Sequence, residues 1–216
     1  MTHIAQFDQA FARCPLVAIL RGVRPDEVEA IGDKLVSAGF TLIEVPLNSP
    51  DPLDSIGRLA RRLAGRAVVG AGTVLKAEDV EAVRAAGGTM IISPNANPAV
   101  IAASAAAGLV SLPGTSTPTE AFAALDAGAT ALKLFPAEGS SPGVLKAMLA
   151  VLPQGIRILP VGGVSPSLMA PWLEAGAAGF GLGSALYKPG MTAETVAEHA
   201  RAFVAALPAR SQDQSL

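Results

Sequence analysis

The chain has 216 residues, of which 50% are hydrophobic and only 16% are charged, and its formal net charge at pH 7 is −2. The length and the high hydrophobic fraction suit one large core around a buried sheet. The slightly negative net charge excludes the basic surface that a nucleic-acid-binding protein needs. The single cysteine excludes an internal disulfide framework and residues 1–8 lack a signal-peptide pattern, so we expect a cytoplasmic protein without nucleic-acid or membrane partners.

Eight apolar segments predict β-strands, and stretches long enough for one helix each separate them. Three helix starts are marked by Pro25-Asp26-Glu27, Pro118-Thr119-Glu120 and Ser165-Pro166. Five stretches end in Ala-Gly directly before a strand, which is typical of a glycine that ends a helix in the left-handed conformation. In chain order, the predicted strands cover residues 17–21, 42–46, 67–71, 90–93, 110–113, 131–134, 157–161 and 179–182.

The regular alternation of strands and helices predicts a parallel sheet with crossover connections. Eight such units close a (β/α)8 barrel, the TIM-barrel fold. A doubly wound open sheet is the alternative, but Arg21-Gly22-Val23-Arg24 after the first strand is not a dinucleotide-binding glycine pattern. Because no linker divides the chain, we predict one α/β barrel domain over residues 1–216, with a flexible polar tail at residues 211–216.

Lys133 is the most informative residue, because it places a charge in the middle of an apolar strand. Side chains alternate along a strand, so Lys133 faces inward if Leu132 and Leu134 pack against the helices. Burial disfavours the charged form of a lysine, and a neutral lysine attacks carbonyl carbons. A structural lysine, which either reaches past the strand end or pairs with a carboxylate, is the alternative.

Polar groups follow the carboxyl ends of the predicted strands, where barrels carry out their chemistry. Glu44 is a lone carboxylate in strand 42–46, and an ion pair that merely neutralises Glu44 and Lys133 is one interpretation of both residues. The whole group is more polar than one ion pair requires, which favours a functional site. It comprises Arg21, Glu44, Gly72-Thr73, Pro94-Asn95, Pro113-Gly114, Lys133, Gly162-Gly163 and Gly183-Ser184.

Two glycine loops among these groups predict a phosphate site. Val161-Gly162-Gly163 follows the seventh strand and leads to a helix start, and Gly183-Ser184 follows the eighth. Glycines let the backbone approach an anion closely, and the loops after strands seven and eight commonly bind phosphate in barrels. Glycines that merely permit tight turns are the alternative for either loop alone.

Together these residues predict Schiff-base chemistry on a phosphorylated keto acid. A neutral Lys133 attacks a ketone, and the resulting iminium withdraws electrons from a neighbouring carbon–carbon bond. Glu44 transfers protons, while Arg21 and Thr73 hold the substrate carboxylate.

A metal site is not expected, and no other cofactor is expected. The two histidines, His3 and His199, lie near the termini and away from the predicted strand ends. A metal-dependent sugar-phosphate epimerase is therefore disfavoured. A non-catalytic protein that binds a phosphorylated sugar acid remains a competing hypothesis.

Five segments carry a resemblance to a known family. They are Ala18-Ile19-Leu20-Arg21-Gly22, Glu44-Val45-Pro46-Leu47-Asn48-Ser49-Pro50, Val69-Gly70-Ala71-Gly72-Thr73-Val74-Leu75, Leu132-Lys133-Leu134-Phe135-Pro136 and Val161-Gly162-Gly163-Val164. From about residue 15 to residue 203, the chain resembles the class I 2-keto-3-deoxy-6-phosphogluconate/6-phosphogalactonate aldolases. The resemblance implies a homotrimeric barrel without a metal, with Lys133 as the Schiff-base residue and Glu44 as the proton shuttle. It also implies cleavage of a phosphorylated keto-deoxy sugar acid to pyruvate and glyceraldehyde 3-phosphate.

Two positions bear on the epimer that such an enzyme accepts. The gluconate branch of the family typically carries an arginine shortly after the catalytic Glu-Val and Thr-Gly-Gly in the phosphate loop. This chain has Asn48 and Val161-Gly162-Gly163, which resemble the galactonate branch and leave Arg21 as the principal carboxylate anchor. The two substrates differ in the configuration of one hydroxyl, and Val161 lacks a hydroxyl that binds one epimer. The resemblance thus implies the 6-phosphogalactonate substrate, with the gluconate epimer as the alternative.

Overall fold

The computed structural model describes residues 1–208, so the predicted tail at residues 211–216 lies outside the described residues. The strands are β1 (Leu16–Ile19), β2 (Leu42–Pro46), β3 (Val68–Gly72), β4 (Met90–Ile92), β5 (Val110–Leu112), β6 (Gly114–Thr115), β7 (Leu132–Leu134), β8 (Ile158–Pro160) and β9 (Phe180–Leu182). The α-helices are α1 (His3–Arg13), α2 (Val28–Ser37), α3 (Pro52–Arg62), α4 (Glu78–Ala85), α5 (Pro98–Ala106), α6 (Pro118–Asp126), α7 (Pro142–Val151), α8 (Met169–Glu174) and α9 (Ala193–Ala205). Short 3-10 helices cover Ala137–Gly139 and Pro166–Leu168.

The strands form two parallel sheets. One sheet has the order β5-β4-β3-β2-β1-β9 and the other has the order β6-β7-β8. The last strand, β9, pairs with the first, β1, so the six-stranded sheet curls as a half-barrel. The predicted α/β class with a parallel sheet is confirmed, and all eight predicted strands are present within two residues of their expected bounds.

The apolar side chains divide into two layers, one on each face of the sheets. An inner cluster lies on the concave face and includes Ala131 of β7, whereas Leu132 and Leu134 belong to the core beneath the helices. Lys133 therefore lies on the inner face, as the alternation of side chains predicted. The inner cluster comprises Phe7, Ala10, Phe11, Val17, Leu42, Val68, Met90, Ile92, Val110, Leu112, Ala131 and Leu159.

Helix α1, which the sequence prediction missed, packs against the inner cluster. The hydroxyl of Thr2 caps the helix by accepting a hydrogen bond from the backbone N–H of Ala5 at 3.2 Å. Phe7 and Phe11 are buried, and the Arg157 guanidinium lies 5.1 Å and 5.2 Å from the centres of their rings. The apolar spacing of three and four residues in α1 is the signal that could have predicted it.

The helices within residues 1–208 are too short or too polar to cross a lipid bilayer, and this holds for every one of them. The longest, α9, has 13 residues and exposes a charged first turn at Glu194.

Candidate active site

Strand β7, the middle strand of the three-stranded sheet, holds Lys133 on the inner face. Its backbone pairs with β6 and β8, and its N–H donates a hydrogen bond to the carbonyl oxygen of Pro113 at 2.9 Å. The residue is 6% exposed, and its Nζ lies 4.5 Å from the centre of the Phe135 ring. The expected burial is confirmed, and Lys133 lines a cavity of about 380 Å³.

Strand β2 buries the carboxylate of Glu44, which is 2% exposed. Its Oε2 atom is buried and has no hydrogen-bond partner within residues 1–208. Gly72 of the neighbouring β3 makes this position possible, because a Cβ atom there would overlap the carboxylate. Gly72 is thus part of the site because it leaves room for Glu44, a role that the sequence prediction did not assign.

Burial shifts the pKa values of Lys133 and Glu44 toward each other. It lowers the pKa of the Lys133 amine below its usual 10.5; Arg21 adds to this effect, while Glu44 opposes it. Burial raises the pKa of the Glu44 carboxyl from 4.5 to about 7, although Lys133 and Arg21 oppose the change. Both groups therefore hold and release protons closer to neutral pH than they do in water.

Lys133 and Glu44 do not form the direct ion pair that the structural interpretation required. No nitrogen–oxygen distance of 4.0 Å or less joins them among the ion pairs of residues 1–208. The charge of each residue still shifts the pKa of the other, although the two groups are farther apart than an ion pair. The interpretation of both residues as a contact ion pair is therefore not supported within residues 1–208.

Arg21 is held by the turn that follows β2. Its Nη1 donates a hydrogen bond to Asn48 Oδ1 at 2.8 Å and lies 3.5 Å from Thr73 Oγ1. The next residue, Gly22, donates its backbone N–H to Ser49 Oγ at 2.9 Å. Thr73 has a φ of +55°, a conformation that costs energy for a residue with a side chain and that occurs at functional sites. The predicted proximity of Arg21 and Thr73 is confirmed, and Asn48 is an additional contact of the guanidinium.

The two predicted phosphate loops line the same cavity as Lys133. Gly162 and Gly163 have φ values of +109° and +62°, which favour glycine. The predicted helix start at Ser165-Pro166 begins with the 3-10 helix Pro166–Leu168, ahead of the six-residue α8. Seven predicted site residues contribute to the cavity wall, namely Arg21, Lys133, Val161, Gly162, Gly163, Gly183 and Ser184.

The other predicted site residues lie outside that wall, among them Glu44, Thr73 and Pro94. Glu44 borders a much smaller space of about 10 Å³, which Lys133 and Val161 also border. Thr73 reaches the site through Arg21. Pro94 was predicted to bind substrate; it does not line the cavity, and its carbonyl group lies against Gly114 of β6.

The charged groups that the prediction did not place in the site are Glu138 and Lys188, and both line the cavity. His3 lies 3.5 Å from the side-chain oxygen of Gln6, and His199 lies 3.2 Å from the carbonyl oxygen of Leu186. Neither histidine lines the cavity. Within the described range, no three His, Cys, Asp or Glu side chains come together as a metal site.

Comparisons with known proteins agree with this geometry. The family described as KDPG and KHG aldolase matches residues 7–201. The chain is 48% identical over 195 residues to the probable 2-dehydro-3-deoxy-6-phosphogalactonate aldolase of Rhizobium meliloti (strain 1021), covering 90% of this chain and 92% of the relative. It is 46% identical over 194 residues to the 2-dehydro-3-deoxy-6-phosphogalactonate aldolase of Escherichia coli (strain K12), covering 90% and 95%. A solved structure described as native KDPGal has a TM-score of 0.89 and 46% identity over 90% of this chain and 94% of that one.

Proposed function

Because the chain belongs to the KDPG and KHG aldolase family, we propose that it cleaves 2-dehydro-3-deoxy-6-phospho-D-galactonate to pyruvate and D-glyceraldehyde 3-phosphate. The observation that carries the proposal is Lys133, a buried amine with a lowered pKa in the wall of a 380 Å³ cavity. The names of the two relatives support the galactonate epimer. The enzyme is a class I aldolase in this proposal, and it uses no metal.

The proposed reaction begins when the neutral amine of Lys133 attacks the C2 ketone, and loss of water then gives an iminium. Ionised Glu44 takes the proton of the C4 hydroxyl while the bond between C3 and C4 breaks. The electron pair of that bond moves to the iminium, which becomes an enamine, and glyceraldehyde 3-phosphate leaves. Protonation at C3 followed by hydrolysis releases pyruvate and regenerates the amine.

The two ends of the substrate are held by different parts of the site. Arg21 and Thr73 bind the C1 carboxylate, and the guanidinium has donors besides the Nη1 that contacts Asn48. The backbone of Gly162-Gly163 and of Gly183-Ser184 binds the C6 phosphate at the other end of the cavity. Lys188 supplies a positive charge to the same cavity.

The Asn48→Ala substitution should raise the half-saturating concentration of pyruvate about tenfold, the scale of one hydrogen bond to a charged group. The reason is that Arg21 loses the acceptor that orients its guanidinium at 2.8 Å. Pyruvate binding is measured from the concentration dependence of borohydride trapping. Hydroxyacetone, a ketone without a carboxylate, is the control ligand. If Asn48→Ala weakened hydroxyacetone binding as much as pyruvate binding, Asn48 would not act by orienting Arg21 toward the carboxylate.

The epimer preference is tested by comparing kcat/KM for the two 6-phosphorylated epimers in the wild type and in Val161→Thr. Val161 is 7% exposed and packs against Gly181, whose missing Cβ leaves room for it. We expect the wild type to prefer the galactonate epimer and the added hydroxyl to shift the ratio about tenfold toward the gluconate epimer. An unchanged ratio would remove Val161 as the discriminator, and failure to cleave either epimer would reject the function.

The proposed architecture is a single-domain (β/α)8 barrel. Three contacts support closure of the two sheets: Thr130 N–H to Ser111 oxygen at 2.9 Å, Ala178 N–H to Ile158 oxygen at 3.0 Å, and the bridge between Val161 and Gly181. Strand β6 follows β5 after one residue, so the two count as one barrel strand and the total becomes eight.

We propose that the enzyme works as a cytoplasmic homotrimer. Exposed apolar side chains, among them Leu53, Leu75 and Phe122, offer surface that a subunit contact would cover. A single cysteine suits a reducing compartment. Light scattering on the purified protein should give three times the chain mass.

A further inference from the structure

The side chain of Glu138 lies directly on the glycine loop that follows β8. The 3-10 helix Ala137–Gly139 is tied to that loop, because the backbone N–H of Ala137 donates to the carbonyl oxygen of Val161 at 2.9 Å. A Cβ atom on Gly163 would come within 2.5 Å of Glu138 Cγ, and one on Gly162 would overlap the carboxylate. Both glycines are therefore needed for Glu138 to occupy this position.

Glu138 gives the cavity wall a charged hydrogen-bond acceptor, whereas the other side-chain oxygens of the wall are the hydroxyls of Ser165, Ser184 and Tyr187. Within residues 1–208, it is the only carboxylate that lines the cavity, and it forms no hydrogen bond or ion pair there. Ile19, Phe135 and Val161 bring apolar side chains to the same wall. A substrate hydroxyl in this region therefore has Glu138 as its strongest available acceptor.

The inference rests on the proposed function, which places two hydroxyl-bearing carbons between the Schiff base and the phosphate. Since Glu138 touches the loop that would bind the C6 phosphate, the hydroxyl on C5 comes nearest to it. We infer that Glu138 accepts a hydrogen bond from this C5 hydroxyl and so determines specificity for the aldehyde half of the substrate. Lys188, which lines the same cavity, offsets the repulsion between the Glu138 carboxylate and the phosphate.

The test removes the carboxylate from the protein and the hydroxyl from the ligand. Condensation of pyruvate is measured with D-glyceraldehyde 3-phosphate and with 3-phosphopropanal, which keeps the phosphate but lacks the hydroxyl. For Glu138→Ala, we expect kcat/KM with glyceraldehyde 3-phosphate to fall about tenfold and that with 3-phosphopropanal to change less than about twofold. Glu138→Gln keeps an acceptor oxygen, so its kcat/KM with glyceraldehyde 3-phosphate should fall only about threefold. The exposed Glu174, which does not line the cavity, provides the control Glu174→Ala.

Two outcomes would overturn the inference. If Glu138→Ala lowered kcat/KM equally with both aldehydes, Glu138 would only support the loop. If the variant raised kcat/KM with both aldehydes, the Glu138 carboxylate would repel the phosphate. Borohydride trapping of pyruvate separates this failure from failure of the proposed function, because pyruvate carries neither hydroxyl nor phosphate. Trapping that persists in Glu138→Ala shows an intact Lys133 site, whereas a wild type that is not trapped would reject the aldolase itself and this inference with it.

Discussion

Replacing Lys133 with alanine should lower kcat/KM for the phosphorylated keto-deoxy sugar acid on the order of 10⁵-fold, the scale observed when a covalent nucleophile is removed. Without the amine no iminium forms, and the electron pair of the breaking bond has no acceptor. Residual cleavage is measured from pyruvate release at high protein concentration. Lys133→Arg should be equally inactive, because a guanidinium keeps the charge but stays protonated.

Controls separate this chemical loss from unfolding. Lys146 is exposed on α7, so Lys146→Ala should retain full activity. Lys133→Ala should unfold at an equal or higher urea concentration than the wild type, because it removes a buried charge. Retained turnover in Lys133→Ala would contradict the Schiff-base mechanism. A protein that only binds the sugar acid would show no turnover in the wild type either.

The Glu44→Gln substitution should lower kcat by about two to four orders of magnitude, the usual contribution of a positioned general base. Glutamine nearly preserves the shape of the side chain in the space beside Gly72 but cannot accept the C4 hydroxyl proton. Wild-type kcat/KM should decrease as the pH falls below about 7, where Glu44 of the free enzyme becomes protonated. The part of that acid limb that Glu44 causes should be absent from the residual activity of Glu44→Gln, whereas protonation of the Lys133 amine still lowers that activity. An unchanged limb in the variant would assign the titration to another group.

The same variant tests the raised pKa of Glu44 without any substrate. Its pKa is about 7 in the folded chain against 4.5 as the usual value, so the folded state binds the proton more tightly. The stability that this provides is complete below pH 4.5 and is lost as the pH rises through 7. Relative to the wild type, Glu44→Gln should therefore gain stability between pH 5 and pH 8, by about 3 kcal/mol at most. Urea unfolding at both pH values measures the difference, and no gain would mean that Glu44 titrates at its usual pKa.

The strands and the inward position of Lys133 were predictable because both follow from local patterns. The β7 segment places leucines on either side of the lysine, and a strand that buries both faces leaves only one inward position for it. The ends of the strands differ by up to two residues from the predicted ones. Strand β1 ends at Ile19 and not at Arg21, because Arg21 already belongs to the turn whose contacts with Asn48 and Thr73 fix it.

The contacts across the site were not predictable, because they depend on how close separate loops come in space. No sequence spacing shows that Gly72 leaves room for Glu44 or that Glu138 lies on Gly162. Pro94 was predicted from the same kind of position, but the structure does not place it in the cavity wall, and its carbonyl group lies against Gly114. Position at the carboxyl end of a strand is thus necessary for the site but does not decide which side chain reaches it.

The most direct test of the Schiff-base mechanism is to reduce the protein with borohydride in the presence of pyruvate and to map the modified peptide by mass spectrometry. We expect one reduced pyruvate adduct, on Lys133, and no adduct when pyruvate is left out. Glu44→Gln should still be trapped, though more slowly, because its amine is intact. An unmodified Lys133 peptide, or an adduct on a different lysine, would contradict the claim that Lys133 forms the Schiff base.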